Sequence, residues 1–118
     1  MSITRMHSSE RATQIVIHKG TIHLSGQVPN DVTKEIKEQT QDCLDKVEGR
    51  LIEAGSDKDH ILSATIFLRD IDRDFAPMNE VWNAWVANGE KPARACVQAH
   101  MAREAILIEI CIVAAVKD

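Results

Sequence analysis

Arg94 and Glu109 are the two residues whose settings point most directly to chemistry. Arg94 stands between Ala93 and Ala95 in a small-residue stretch, and Glu109 is the single charge in the run Ile106–Val116. A guanidinium so placed can grip a carboxylate through two parallel hydrogen bonds, which fixes both charge and orientation. An isolated carboxyl group can orient a water molecule or shuttle a proton; burial disfavours its ionised form and a nearby cation pulls the other way. The same two residues would serve equally as a structural ion pair inside an interface.

Other chemistry is less well provided for. Cys96 is expected on the same face as Arg94, which can lower a thiol's pKa, although a lone cysteine more often packs as a small hydrophobe. The three cysteines, Cys43, Cys96 and Cys111, are widely spaced without a CxxC pair, so neither a zinc site nor a disulfide framework is expected. His18 and His23 share one hairpin face but lack a third ligand, so no metal is expected. Trp82 and Trp85 stand at core spacing on a helix and read as packing. The run Glu35–Glu38 reads as a solvated helix face. There is no phosphate-cradling glycine motif and no cofactor is implied.

Hydrophobic patterning supplies the scaffold. Gln14–His18 and Thr21–Ser25 alternate as strands joined by Lys19-Gly20, where glycine provides the positive φ of a tight turn. Pairing across that turn sets Ile17 opposite Ile22 and Ile15 opposite Leu24, leaving Val16, His18, His23 and Ser25 on the second face. A helix is predicted from Val32 to Ala54, with Asp31 or Thr33 as N-cap, Gly55 just past its end, and Ile36, Cys43, Leu44, Val47 and Leu51 as its apolar stripe.

Ile61–Arg69 is predicted as a strand with Leu62, Ala64, Ile66 and Leu68 on one face and Ser63, Thr65, Phe67 and Arg69 on the other. A second helix starts near Asp72 or Asp74, holds Pro77 in its first turn, buries Phe75, Met78, Trp82 and Trp85, and stops at Asn88-Gly89. Two strands follow. Ala93–Ala99 sets Ala93, Ala95 and Val97 against Arg94, Cys96 and Gln98. Ile106–Val116 sets Ile106, Ile108, Ile110 and Ile112 against Leu107, Glu109, Cys111 and Val113.

Each strand therefore has an aliphatic face, and two amphipathic helices are available to cover it. The expected architecture is α+β: a two-layer sandwich of one mixed sheet with both helices on one side. The uncovered face should mix Val16, Phe67, Leu107 and Val113 with His23, Ser25, Thr65, Arg94, Cys96, Gln98 and Glu109. That semi-polar composition suits a subunit interface enclosing a polar cavity; a wetted sheet surface is the plainer alternative.

The bulk properties bound these expectations. At 118 residues, 44% of them hydrophobic, the chain suits one domain spanning 1–118. With 3% aromatic residues and no tyrosine, its core must be mainly aliphatic. A net charge of −4 argues against nucleic acid as a partner. The first ten residues lack an apolar signal segment, and Ile106–Val116 is too short to cross a bilayer, so a cytoplasmic protein that does not engage membranes is expected.

Several motifs, taken in order, resemble the RidA (YjgF) family. Ser25-Gly26-Gln27-Val28-Pro29 is similar to its SGQ[IV]P strand end, and Gln39-Thr40 and Ala54-Gly55 to landmarks of its first helix. Asp74-Phe75-Ala76 with Asn79 is similar to DFxxxN, Pro92–Val97 to PARxxV, and Ile108-Glu109-Ile110 to the closing [IV]E[IV] strand. The resemblance runs from about Gln14 to Val116. It implies a chorismate-mutase-like fold assembled as a homotrimer, with clefts between subunits. It also implies hydrolysis of reactive enamines and imines, such as 2-iminopropanoate and 2-iminobutanoate, to 2-oxo acids and ammonia. On that resemblance Arg94 would bind the substrate carboxylate, Glu109 would position water, and Ser25, Asn79 and the Cys96 backbone would line the cleft.

Archetypal members carry a tyrosine in a GPYSQ stretch; here Ser8–Gln14 stands in its place, which marks a divergent subgroup. The alternative is a non-catalytic regulatory trimer that captures a small carboxylate through Arg94. A ribonuclease or translation-inhibitor role, attached to some relatives, is disfavoured by the acidic chain and the lack of a basic stripe.

Overall fold

The computed structural model describes residues 2–118. Six strands form one sheet in the order β1-β2-β3-β6-β4-β5. They are β1 (Thr4–Ser8), β2 (Thr13–His18), β3 (Thr21–Leu24), β4 (Ile61–Leu68), β5 (Ala93–Gln98) and β6 (Ile108–Ala115), with helices α1 (Ile36–Glu53) and α2 (Ile71–Val86). Only β4 and β5 pair in parallel, so the sheet is mixed. Both helices pack on the same side of the sheet, and the molecule measures 44 × 37 × 20 Å.

The β2–β3 hairpin has the expected register, Ile15 against Leu24 and Ile17 against Ile22. Its turn places Lys19 at φ 53° and Gly20 at φ 78°. Two successive left-handed residues match the right-handed twist of the flanking strands.

The core between the layers is aliphatic, as the composition requires. Ile15, Ile22, Ala64, Ile66, Leu68, Ile108, Ile110 and Ile112 line the sheet's inner face, while Cys43, Leu44, Val47 and Leu51 of α1 and Met78, Trp82 and Trp85 of α2 cover it.

Helix α1 starts about one turn later than predicted. Asp31 Oδ1 accepts from the Thr33 backbone N–H and hydroxyl at 3.0 and 2.6 Å, and Asp42 Oδ2 accepts from the N–H groups of Asn30 and Asp31. These side-chain bonds hold the backbone in turns where helix was expected. The N-cap is Glu35, whose side chain makes no capping bond. The other end follows the sequence: Gly55 takes φ 85°, its N–H bonds to Ile52 O, and Ser56 N–H bonds to Leu51 O. Only glycine adopts that conformation without Cβ strain.

Four further expectations are corrected. Strand β1 was not anticipated, because Thr4–Ser8 offers only Met6 to the core. A register shift between Ile61 and Ser63 turns Ile61 inward and leaves Leu62 52% exposed. One inserted residue reverses the alternation ahead of it. Helix α2 starts at Ile71, capped by the Asp70 carboxylate on Arg73 N–H at 3.1 Å, so Pro77 lies in the second turn. Phe75, assigned to the buried stripe, is 43% exposed, and Asp74 is buried in its stead.

Candidate functional site

Strand β5 is an edge strand, parallel to β4, with Ala64 beside Arg94, Ile66 beside Cys96 and Leu68 beside Gln98. Neighbours in a parallel pair project to the same side, so Arg94, Cys96 and Gln98 face the helices. This overturns the expectation that they share the open face with Glu109. Their contacts agree: Arg94 Nη1 donates to Asn79 Oδ1 of α2 at 2.8 Å, and Gln98 Oε1 accepts from Ile71 N–H at the start of α2. Cys96 packs against the core. Because β5 lies at the rim of the helical layer, long polar side chains on its inner side reach past the core to the flank of α2.

The Arg94 guanidinium also lies over the Trp82 ring, 5.4 Å from the centroid. Among the described residues no carboxylate pairs with it.

Glu109 leaves the opposite face, from the centre of the sheet, between Phe67 on β4 and the segment that follows β3. Its half-buried carboxylate lies directly over Gly26: a Cβ on that glycine would fall 2.8 Å from Glu109 Cδ. The glycine therefore makes room for the acid. Gly26 is held by its neighbours, since Ser25 N–H bonds to Gln14 O and Gln27 exchanges two backbone hydrogen bonds with Ile110. Ser25 Oγ donates to Thr13 O at 2.6 Å, and the buried Gln27 side chain donates to Gln14 Oε1 and Ser25 O. Cys111 Sγ lies 4.0 Å from Glu109 Oε2.

The cysteines are poor nucleophiles in this setting. Burial pushes the Cys43 thiol up to about 12. Burial also raises Cys96, against the opposing pull of Arg94, and raises Cys111 together with the Glu109 charge. Arg94 does pull the Cys96 thiol down as expected, but burial outweighs it, in keeping with the reading of Cys96 as a small packed hydrophobe. Among the described residues no group of three or more His, Cys, Asp or Glu side chains is placed to hold a metal, and no helix is long and apolar enough to cross a membrane.

The five expected site residues thus fall into two groups. Arg94, Asn79 and Cys96 meet at the β5–α2 flank, while Ser25 and Glu109 meet around Gly26 on the open face. Glu109 pairs with Phe67, and Phe67 with Val97. Arg94 is therefore about 10 Å away along the strands and about 10 Å across them, on the other side of the sheet. Sequence reasoning gave Trp82 to packing and missed its contact with Arg94; the i, i+3 spacing from Asn79 was the available signal. Leu107, expected on the open face, packs against the core beside a depression of about 580 Å³ between the starts of α1 and α2.

Comparison with known proteins agrees with the fold and with the family resemblance. A family model described as Endoribonuclease L-PSP matches residues 2–116. The RutC family protein YoaB of Escherichia coli K12 is 42% identical over 116 residues, which cover 98% of this chain and all of that protein. A RutC family protein of Haemophilus influenzae is 36% identical over 97% of this chain and 98% of its own length. The crystal structure of NMB1025 from Neisseria meningitidis, a member of the YjgF protein family, superposes with a TM-score of 0.95 at 46% identity, covering 100% of this chain and 98% of that one. The chain belongs to this L-PSP family, whose members also carry the names YjgF and RutC.

Proposed function

We propose that this protein hydrolyses reactive 2-imino and enamine acids, of the 2-iminopropanoate and 2-iminobutanoate type, to 2-oxo acids and ammonia. It would do so as a homotrimer with its sites between subunits. The observation that carries this reading is the state of Arg94: ordered by Asn79 and Trp82 yet paired with no carboxylate among the described residues. A carboxylate ligand could complete it through two parallel hydrogen bonds.

Glu109 is the candidate for positioning the attacking water, and it acts without a cofactor. Because Arg94 and Glu109 leave opposite faces of one sheet, a ligand small enough to be an imino acid would meet both only where two copies adjoin. The open face supports such packing. Ala93, Ala95 and Val97 of β5 are exposed there, Val97 at 45%, beside the half-buried Thr65 and Phe67. Ser25, Asn79 and the Cys96 backbone would line the cleft.

The test generates imines in situ with an amino-acid oxidase and follows 2-oxo acid release, with semicarbazide as a competing trap. Wild type should accelerate release, and Arg94→Ala and Glu109→Gln should each lower the rate by about 10²–10⁴-fold, the range expected when an anchor or a proton-handling group is lost. A folded protein that binds 2-oxo acids but accelerates no imine would instead be a carboxylate-binding module.

A further inference from the structure

Two arginines, Arg73 in helix α2 and Arg94 beside it, are held in different ways. Arg73 is gripped by the buried Asp74 carboxylate through Nε and Nη2, both at 2.9 Å. Its fork is filled and its charge neutralised. Arg94 is held by two neutral groups, the Asn79 carbonyl oxygen on Nη1 and the Trp82 ring, over which its guanidinium carbon lies. Among the described residues its Nε and Nη2 have no acceptor.

We infer that Trp82 is a positioning residue for Arg94, holding the guanidinium over the indole ring so that its free edge is presented, without a carboxylate partner of its own among the described residues, to a carboxylate ligand. This rests on the proposed role of Arg94 as a carboxylate anchor and assigns the group that orders it.

The geometry suits that task. An arginine on an exposed strand edge loses rotamer entropy when it is fixed, and a ligand that must fix it binds correspondingly less well. Trp82 and Asn79 are three residues apart on one face of α2 and restrain different motions. The ring lies against the guanidinium group, and the hydrogen bond ties down Nη1.

The ring is itself immobile. Trp82 is 5% exposed and packs 5.6 Å from Trp85, centroid to centroid, at 50°. Trp85 is braced in turn by Lys58, whose ammonium lies 5.4 Å from its ring and donates to its backbone carbonyl at 2.9 Å. The negative ring face attracts the cation without discharging it, whereas a carboxylate in the same place would fill the site.

Three proteins test this: wild type, Trp82→Phe, which keeps an aromatic face, and Trp82→Leu, which keeps an apolar side chain without one. Calorimetric titration with 2-oxobutanoate should show affinity falling about tenfold in Trp82→Leu and about two- to threefold in Trp82→Phe, within the cation–π range. KM for imine hydrolysis should rise in the same order, with kcat less affected.

In wild type, nitrogen-15 NMR should show a resolved Arg94 Nε–H signal, shifted upfield by the ring current and identified by its loss in Arg94→Lys. That shift should collapse in Trp82→Leu. A Trp82→Leu protein that melts earlier but binds 2-oxobutanoate as tightly as wild type would overturn the inference and leave Trp82 to packing. So would an unshifted Arg94 signal in wild type, whether or not the variants fold. If wild type neither binds 2-oxo acids nor hydrolyses imines, the proposed function fails, while the NMR signal still decides whether Trp82 orders Arg94.

Discussion

The two faces of the sheet carry the same backbone and opposite obligations. On the covered face of β6, Ile108, Ile110 and Ile112 are almost wholly buried under the helices. On the open face of the same strand, Glu109, Cys111 and Val113 are half-buried with no helix above them. Strands β4 and β6 thus alternate between a finished core and a surface that is too apolar for ordinary solvent exposure and too polar for an interior. The difference shows that alternate residues of the same strands meet a finished core on one side and an uncovered surface on the other, so the two faces can be perturbed separately.

The largest effect should come from the covered face. Ile110→Ala should cost about 2–5 kcal/mol and lower the melting temperature sharply, because it opens a cavity among residues that cannot close over it. Its neighbour Cys111→Ala should cost under about 1 kcal/mol at protein concentrations where the chain is monomeric. Equal losses in calorimetry would break the distinction between the faces.

An association effect comes next. Val97→Glu puts a charge on the exposed aliphatic patch of β5 and should leave the fold intact while lowering the mass measured by light scattering from that of the proposed trimer to that of a monomer. A wild-type protein that already runs as a monomer would remove the open face as an interface.

The smallest effect concerns pH. The Cys43 thiol is raised by burial from an ordinary 9.0 to about 12. Above pH 9 the unfolded chain releases this proton while the folded chain keeps it, so stability should be complete below that value and decline as pH rises towards 12. Denaturant titrations between pH 8 and 10.5 should show that decline in wild type and a shallower one in Cys43→Ala.

The sequence was most legible where one pattern met one environment. The hairpin register, the aliphatic stripe of α1 and the Gly55 stop all follow from local rules that the tertiary structure leaves undisturbed. Leu62 was misplaced because alternation has no means of announcing an extra residue, and a bulge reverses every face ahead of it. Arg94 was put on the wrong side for another reason. Alternation separates Ala93, Ala95 and Val97 from Arg94, Cys96 and Gln98 without saying which set faces inward, and the small apolar set was taken as the inner one. On an edge strand that rule inverts, because the inner positions lie at the rim where long polar side chains can reach out. The motifs therefore nominated the candidate residues, while their partition between two faces required coordinates.

Gly26 beneath Glu109 ties two positions 83 residues apart into one unit. A side chain at 26 would displace the Glu109 carboxylate from its present place, and shortening the acid would leave a hollow over the glycine. The place of the acid is therefore set by the absence of a side chain 83 residues away, and a Gly26→Ala protein would keep its fold while moving the Glu109 carboxylate.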